Sequence, residues 1–110
     1  MKILNEDINF QREDKYTQKI IMKSVKNLHD RLIQYNLNGK SLDTIKGDDV
    51  LIHDWINGHA VFKTHIGRIQ MRILYTVKDD KLIIVSHYIK KDHPHDWIPY
   101  FEKITSKVAN

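Results

Sequence analysis

The sequence contains no cysteine. That excludes disulfides and thiolate metal sites, and it fits a reducing, cytoplasmic compartment. Glycine and proline are scarce, at four and two residues in a chain of 110, so no Pro- or Gly-rich linker divides it. There is no internal repeat and no low-complexity segment. No apolar run approaches the roughly 18 residues that a membrane-crossing helix needs. The first residues, Met1 to Asp7, include no apolar stretch of the kind found in a secretory signal. One domain over residues 1–110, with a modest core, is the expectation.

What is present is an ordinary globular balance, 41% hydrophobic and 29% charged, with a formal net charge of +4. A mildly basic domain fits either a polyanionic partner or a Lys-rich solvated surface. Of the seven histidines, five lie between His53 and His93.

Alternation of Ile3, Ile8 and Phe10 suggests a first strand within Met1 to Phe10. Glu13 to Leu37 reads as a long helix, because Ile21, Val25, Leu28, Leu32 and Tyr35 recur at helical spacing and Asn38-Gly39 follows as a stop. Ser41 to Lys46 has the pattern of a short capped turn. Val50 to Ile56 fits a strand or a packed loop equally well. Asn57-Gly58 is a turn signal, after which His59–Ile66, Ile69–Lys78 and Lys81–Lys90 read as a three-stranded meander, turning at Gly67-Arg68 and Asp79-Asp80. Asp96 to Val108 reads as a second helix, capped by Asp96 and with Pro99 tolerated in its first turn. The fold class is therefore α+β: an antiparallel sheet, with an N-terminal strand beside the meander, packed by a long N-terminal and a C-terminal helix.

Alternation and a tip at Asp79-Asp80 set the expected faces. Lys78 pairs with Lys81, and continuing that register puts Arg72 opposite His87 and Leu74 opposite Val85. Ile69, Met71, Ile73, Tyr75 and Val77, with Leu82, Ile84, Ser86 and Tyr88, form the face under the helices. Arg72 and His87 share the other face, beside Lys63 and His65 of the preceding strand, on a floor of Leu74, Ile83 and Val85. No acidic residue stands among these cations on the strands, which suits a phosphate better than a merely wet sheet face does.

The run Arg72-Ile-Leu-Tyr75, then Asp79-Asp-Lys-Leu-Ile-Ile-Val85, then His87-Tyr-Ile-Lys-Lys91 resembles the RelE/ParE toxin superfamily, in particular its HigB-like or phage-derived subgroup. The likeness covers about Phe62 to Lys91. It implies a single RelE/ParE-like domain acting as the toxin of a type II toxin–antitoxin system: a ribosome-dependent mRNA endonuclease, held inactive by a cognate antitoxin and acting without metal or cofactor through attack of the 2′-hydroxyl on the adjacent phosphate. Arg72 matches the family's phosphate-binding arginine, and Lys63 and His65 match its two basic positions on the preceding strand. Lys91 and His93 fall where the remaining catalytic groups are often found, and His87 joins the candidates for general base. Lys15, Lys19, Lys23, Arg68 and Lys90 are expected on RNA as nonspecific charge. His65 stands where lysine is common, and the segment Asp92-His-Pro-His-Asp96 has no counterpart in the family.

Two other classes fit the same residues. A toxin-like module could inhibit a partner such as gyrase by its surface alone. His87, Asp92, His93, His95 and Asp96 are metal-ligand types, but Pro94 and the strand end give them no standard ligand spacing, and Asp96 serves better as a helix cap.

Overall fold

Asp14 starts the long helix α1, Lys15–Gln34, by accepting the Thr17 N–H on its carboxylate at 2.7 Å. The computed structural model describes residues 1–45, 47–90 and 95–108. In it Ile20, Ile21, Val25, Leu28 and Leu32 form the buried stripe of α1. The helix stops at Gln34, short of Leu37, because Asn36 takes a left-handed φ of 49°, which asparagine tolerates better than most residues. Tyr35, expected on the stripe, is exposed instead, and its hydroxyl donates to Asp48 at 2.7 Å.

The sheet has five strands, in the order β1-β5-β4-β3-β2. They are β1 Lys2–Asn5, β2 Asp54–Ile56, β3 His59–Ile66, β4 Ile69–Lys78 and β5 Lys81–Ile89. The meander β3-β4-β5 forms as expected. The sheet is mixed, however, because β1 runs parallel to β5. The chain between them includes α1, the kind of crossover that parallel neighbours require. The segment read as strand or loop supplies the three-residue edge strand β2. Two tight turns have both central residues at positive φ, Asn57-Gly58 at 47° and 83° and Asp79-Asp80 at 53° and 57°, which matches the twist of the strands they join.

The helices pack on opposite faces of the sheet, not on one. Alternating residues Ala60, Phe62, Met71, Ile73 and Tyr75 pack with the α1 stripe. Their neighbours Val61 and Leu74 pack with Ile56, Trp97 and Phe101, the last two from helix α2, Trp97–Val108. Among the described side chains of α2 the buried ones are Trp97, Phe101 and Thr105, four apart, while Ile98 and Ile104 are only half-buried. Among the described residues, no helix is long and apolar enough to cross a membrane.

The expected hairpin register holds only at its tip. Lys78 pairs with Lys81 and Tyr75 with Ile84, but the register then shifts, so that Leu74 pairs with Ser86, Ile73 with His87 and Arg72 with Tyr88. Val85 is the extra residue of a β-bulge. Beyond it every side chain of β5 changes face. Arg72 and His87 are therefore on opposite sides of the sheet, and Ser86 and Tyr88 leave the α1 side.

One buried hydrogen bond ties the sheet to the loop before β2. Tyr75 is fully buried, and its hydroxyl donates to the Leu51 carbonyl at 2.7 Å. Burial, assisted by the charge of Asp48, raises the phenol's pKa, so it stays a donor. Replacing Tyr75→Phe leaves the carbonyl of buried Leu51 without that bond. The expected loss is about 1–3 kcal/mol of unfolding free energy, read by urea denaturation with an unchanged m-value.

Candidate functional site

Strand pairing places Lys63 directly across from Arg72, on the side of the sheet that α2 covers. Lys63 is exposed. Arg72 is 4% exposed, so the open floor expected around it is instead roofed by α2. Its guanidinium lies 5.9 Å from the Trp97 ring centroid and donates from Nη1 to the Met71 carbonyl at 3.1 Å. Nε has no hydrogen-bond partner among the described residues. Burial lowers the guanidinium's pKa from its high ordinary value and the charge of Asp96 opposes this, yet arginine stays a cation. Neither Lys63 nor Arg72 forms an ion pair among the described residues. The pair is a concentration of positive charge, with Lys63 as its accessible end.

His53 belongs to the same place. Its backbone N–H donates to the Val61 carbonyl at 2.8 Å, which anchors the loop beside β3, and its exposed ring lies 5.8 Å from that of Trp97. Burial lowers the imidazole's pKa, and Arg72 and then Lys63 lower it further, against weaker opposing effects of Asp54 and of a backbone hydrogen bond with Asp49. A neutral imidazole beside two cations is a competent proton acceptor. The sequence offered no signal for this role, because His53 reaches the site only through the packing of its loop on β3 and against Trp97.

His65 pairs with Gln70 and shares the parity of Lys63, and it is exposed. The Lys90 N–H donates to the Gln70 carbonyl at 2.8 Å, which brings half-buried Lys90 to the same end of the sheet. Arg68 is exposed in the β3–β4 turn, and Lys15, Lys19 and Lys23 are exposed along α1. Lys91 and His93 lie outside the described residues, as does Asp92 of the metal-type cluster. Among the described residues no group of three or more His, Asp or Glu side chains could hold a metal ion.

His87 is not part of this site. The bulge turns it to the α1 side, where Nδ1 meets the Asp7 carboxylate and Nε2 lies 3.1 Å from Glu13 Oε2. Asp7 and His87 are both buried, at 6% exposure each. Both ring nitrogens are engaged by carboxylates, on the side of the sheet away from Lys63 and Arg72, unlike the face expected for it. Burial alone would lower its pKa, but hydrogen bonds and charge from Asp7, then Glu13, outweigh burial and raise it. The folded pKa thus lies above the unfolded value of about 6.5. The stabilisation is complete below that unfolded value and is lost as pH rises through the raised folded one. Urea unfolding should show stability declining as pH rises above the unfolded value of about 6.5. His87→Ala should flatten this decline and cost roughly 3–5 kcal/mol, because two carboxylates lose their cation.

Comparison of the chain with protein-family models, with curated proteins and with solved structures returns no match.

Proposed function

We propose that this chain is a RelE/ParE-like toxin that cleaves mRNA on the ribosome. The observation that carries the reading is the Lys63–Arg72 cross-strand pair, free of carboxylate partners among the described residues, with the neutral imidazole of His53 beside it. Lys63 binds the scissile phosphate. Arg72, too buried for contact, adds its charge from behind through a poorly screened interior. His53 takes the proton of the 2′-hydroxyl, whose oxygen attacks phosphorus. The bond to the 5′-oxygen breaks, a 2′,3′-cyclic phosphate forms, and His65 protonates the leaving oxygen. Positive charge preplaced where negative charge develops supplies most of the stabilisation. A cognate antitoxin would hold the protein inactive in the cytoplasm by covering this face.

The burial of Arg72 favours a second reading, a toxin-like module that blocks a partner such as gyrase by surface contact alone. Growth arrest with a DNA-damage response and intact mRNA would select it.

The test is induced expression followed by primer extension on cellular mRNA. Lys63→Ala should lower cleavage by about 10²–10³-fold, and His53→Ala by about 10²–10⁴-fold. Both side chains are exposed, so these variants fold. Undiminished cleavage in both would sink the endonuclease assignment.

A further inference from the structure

On the other side of β3, a cleft of about 340 Å³ opens between the middle of α1 and the end of the strand. The helix lines it with Lys23, Ser24, Lys26 and Asp30, and the strand with Thr64 and His65. Lys23, Lys26 and Asp30 recur at helical spacing and present one face to the strand. Both lysines are exposed, and neither makes an ion pair among the described residues. Asp30 is the one carboxylate on the lining, and it turns to the His29 ring, 3.2 Å away. The cleft is therefore net positive.

Ser24 is the second observation. It is 1% exposed, and its hydroxyl has no hydrogen-bond partner among the described residues. A serine inside a helix ordinarily bonds back to a carbonyl one turn earlier. This one does not, and a buried hydroxyl without a partner is unfavourable enough to need an explanation. It borders a cleft that carries two free ammonium groups. A ligand with several acceptor oxygens would use all three donors.

We propose that this cleft binds a phosphoryl group, held by Lys23 and Lys26 with the Ser24 hydroxyl at its inner wall. The group is either a phosphodiester of a nucleic-acid strand or a free phosphate. The donors proposed here, Lys23, Lys26 and Ser24, are distinct from Lys63, Arg72 and His53 of the cleavage step, although His65 borders both places.

The experiment titrates the isotope-labelled full chain with inorganic phosphate and, separately, with a short single-stranded RNA, and reads amide shifts by NMR. Saturable shifts at Ser24 and Thr64 are expected. The double variant Lys23→Gln/Lys26→Gln should weaken binding about tenfold or more, and Ser24→Ala several-fold. Lys63→Ala should leave phosphate binding at the cleft unchanged, which separates failure of this site from failure of the cleavage site. Shifts with RNA alone, or with both ligands, assign a nucleic-acid phosphodiester. Shifts with inorganic phosphate alone assign a free phosphate. Absence of saturable shifts at these amides with either ligand overturns the proposal, as does equal affinity in the double variant.

Discussion

The bulge at Val85 sets which charges share a face of the sheet. Up to Ile84, β5 pairs with β4 in the register fixed by the Asp79-Asp80 tip; past Val85 its side chains stand on the other side. A regular strand would put His87 beside Arg72 and Lys63, three basic groups on one half-covered surface. The extra residue moves His87 to the α1 side, where Asp7 and Glu13 receive it. The bulge thus turns a site of like-charge repulsion into two sites of different character.

Those sites treat buried cations in opposite ways. His87 is saturated, with a carboxylate on each nitrogen, and it fastens the start of the chain. The same segment is held by the Glu6 N–H on the Ile84 carbonyl at 2.8 Å and by the Asn9 side chain on the Tyr100 hydroxyl, which extends the fastening to α2. Arg72 is under-compensated. Among the described residues its contacts are an aromatic face and one carbonyl, with Asp96 acting through its charge. Burial of charge with so little local compensation is unfavourable, and cation–π contact offsets part of that. Burial, and then the charges of Arg72 and Lys63, lower the basicity of His53.

The legible parts of this fold were those written in local periodicity. The α1 stripe, the meander strands and the turns at Asn57-Gly58 and Asp79-Asp80 follow from spacing and turn chemistry, and so does the placement of Lys63 on the face of Arg72, though not their direct pairing. The bulge was not legible, because Val85 is a good strand residue and nothing in its neighbours marks an extra position. One missed residue reversed the reading of everything beyond it on β5. The split of the helices across two faces was also hidden, since α2 has an apolar side that would fit either. Asp7 and His87 are joined across 80 positions, and no local pattern announces such a contact. His53 was noticed only as one of a cluster of histidines, because its place beside Trp97 is set by packing and not by local pattern.

Strand β3 connects the two basic regions by its own geometry. Successive side chains of a strand point to opposite faces, so Lys63 faces the α2 side and Thr64, its neighbour, lines the cleft on the α1 side. Up to Lys63 the outer edge of β3 is occupied, by β2 and by the Val50 carbonyl, which accepts the Lys63 N–H at 3.0 Å. Beyond Lys63 no further strand pairs on that edge among the described residues. A polyanionic chain could therefore pass from one face of the sheet to the other around the end of β3, where exposed His65 stands between the two regions. A ligand confined to one face could use only one of them.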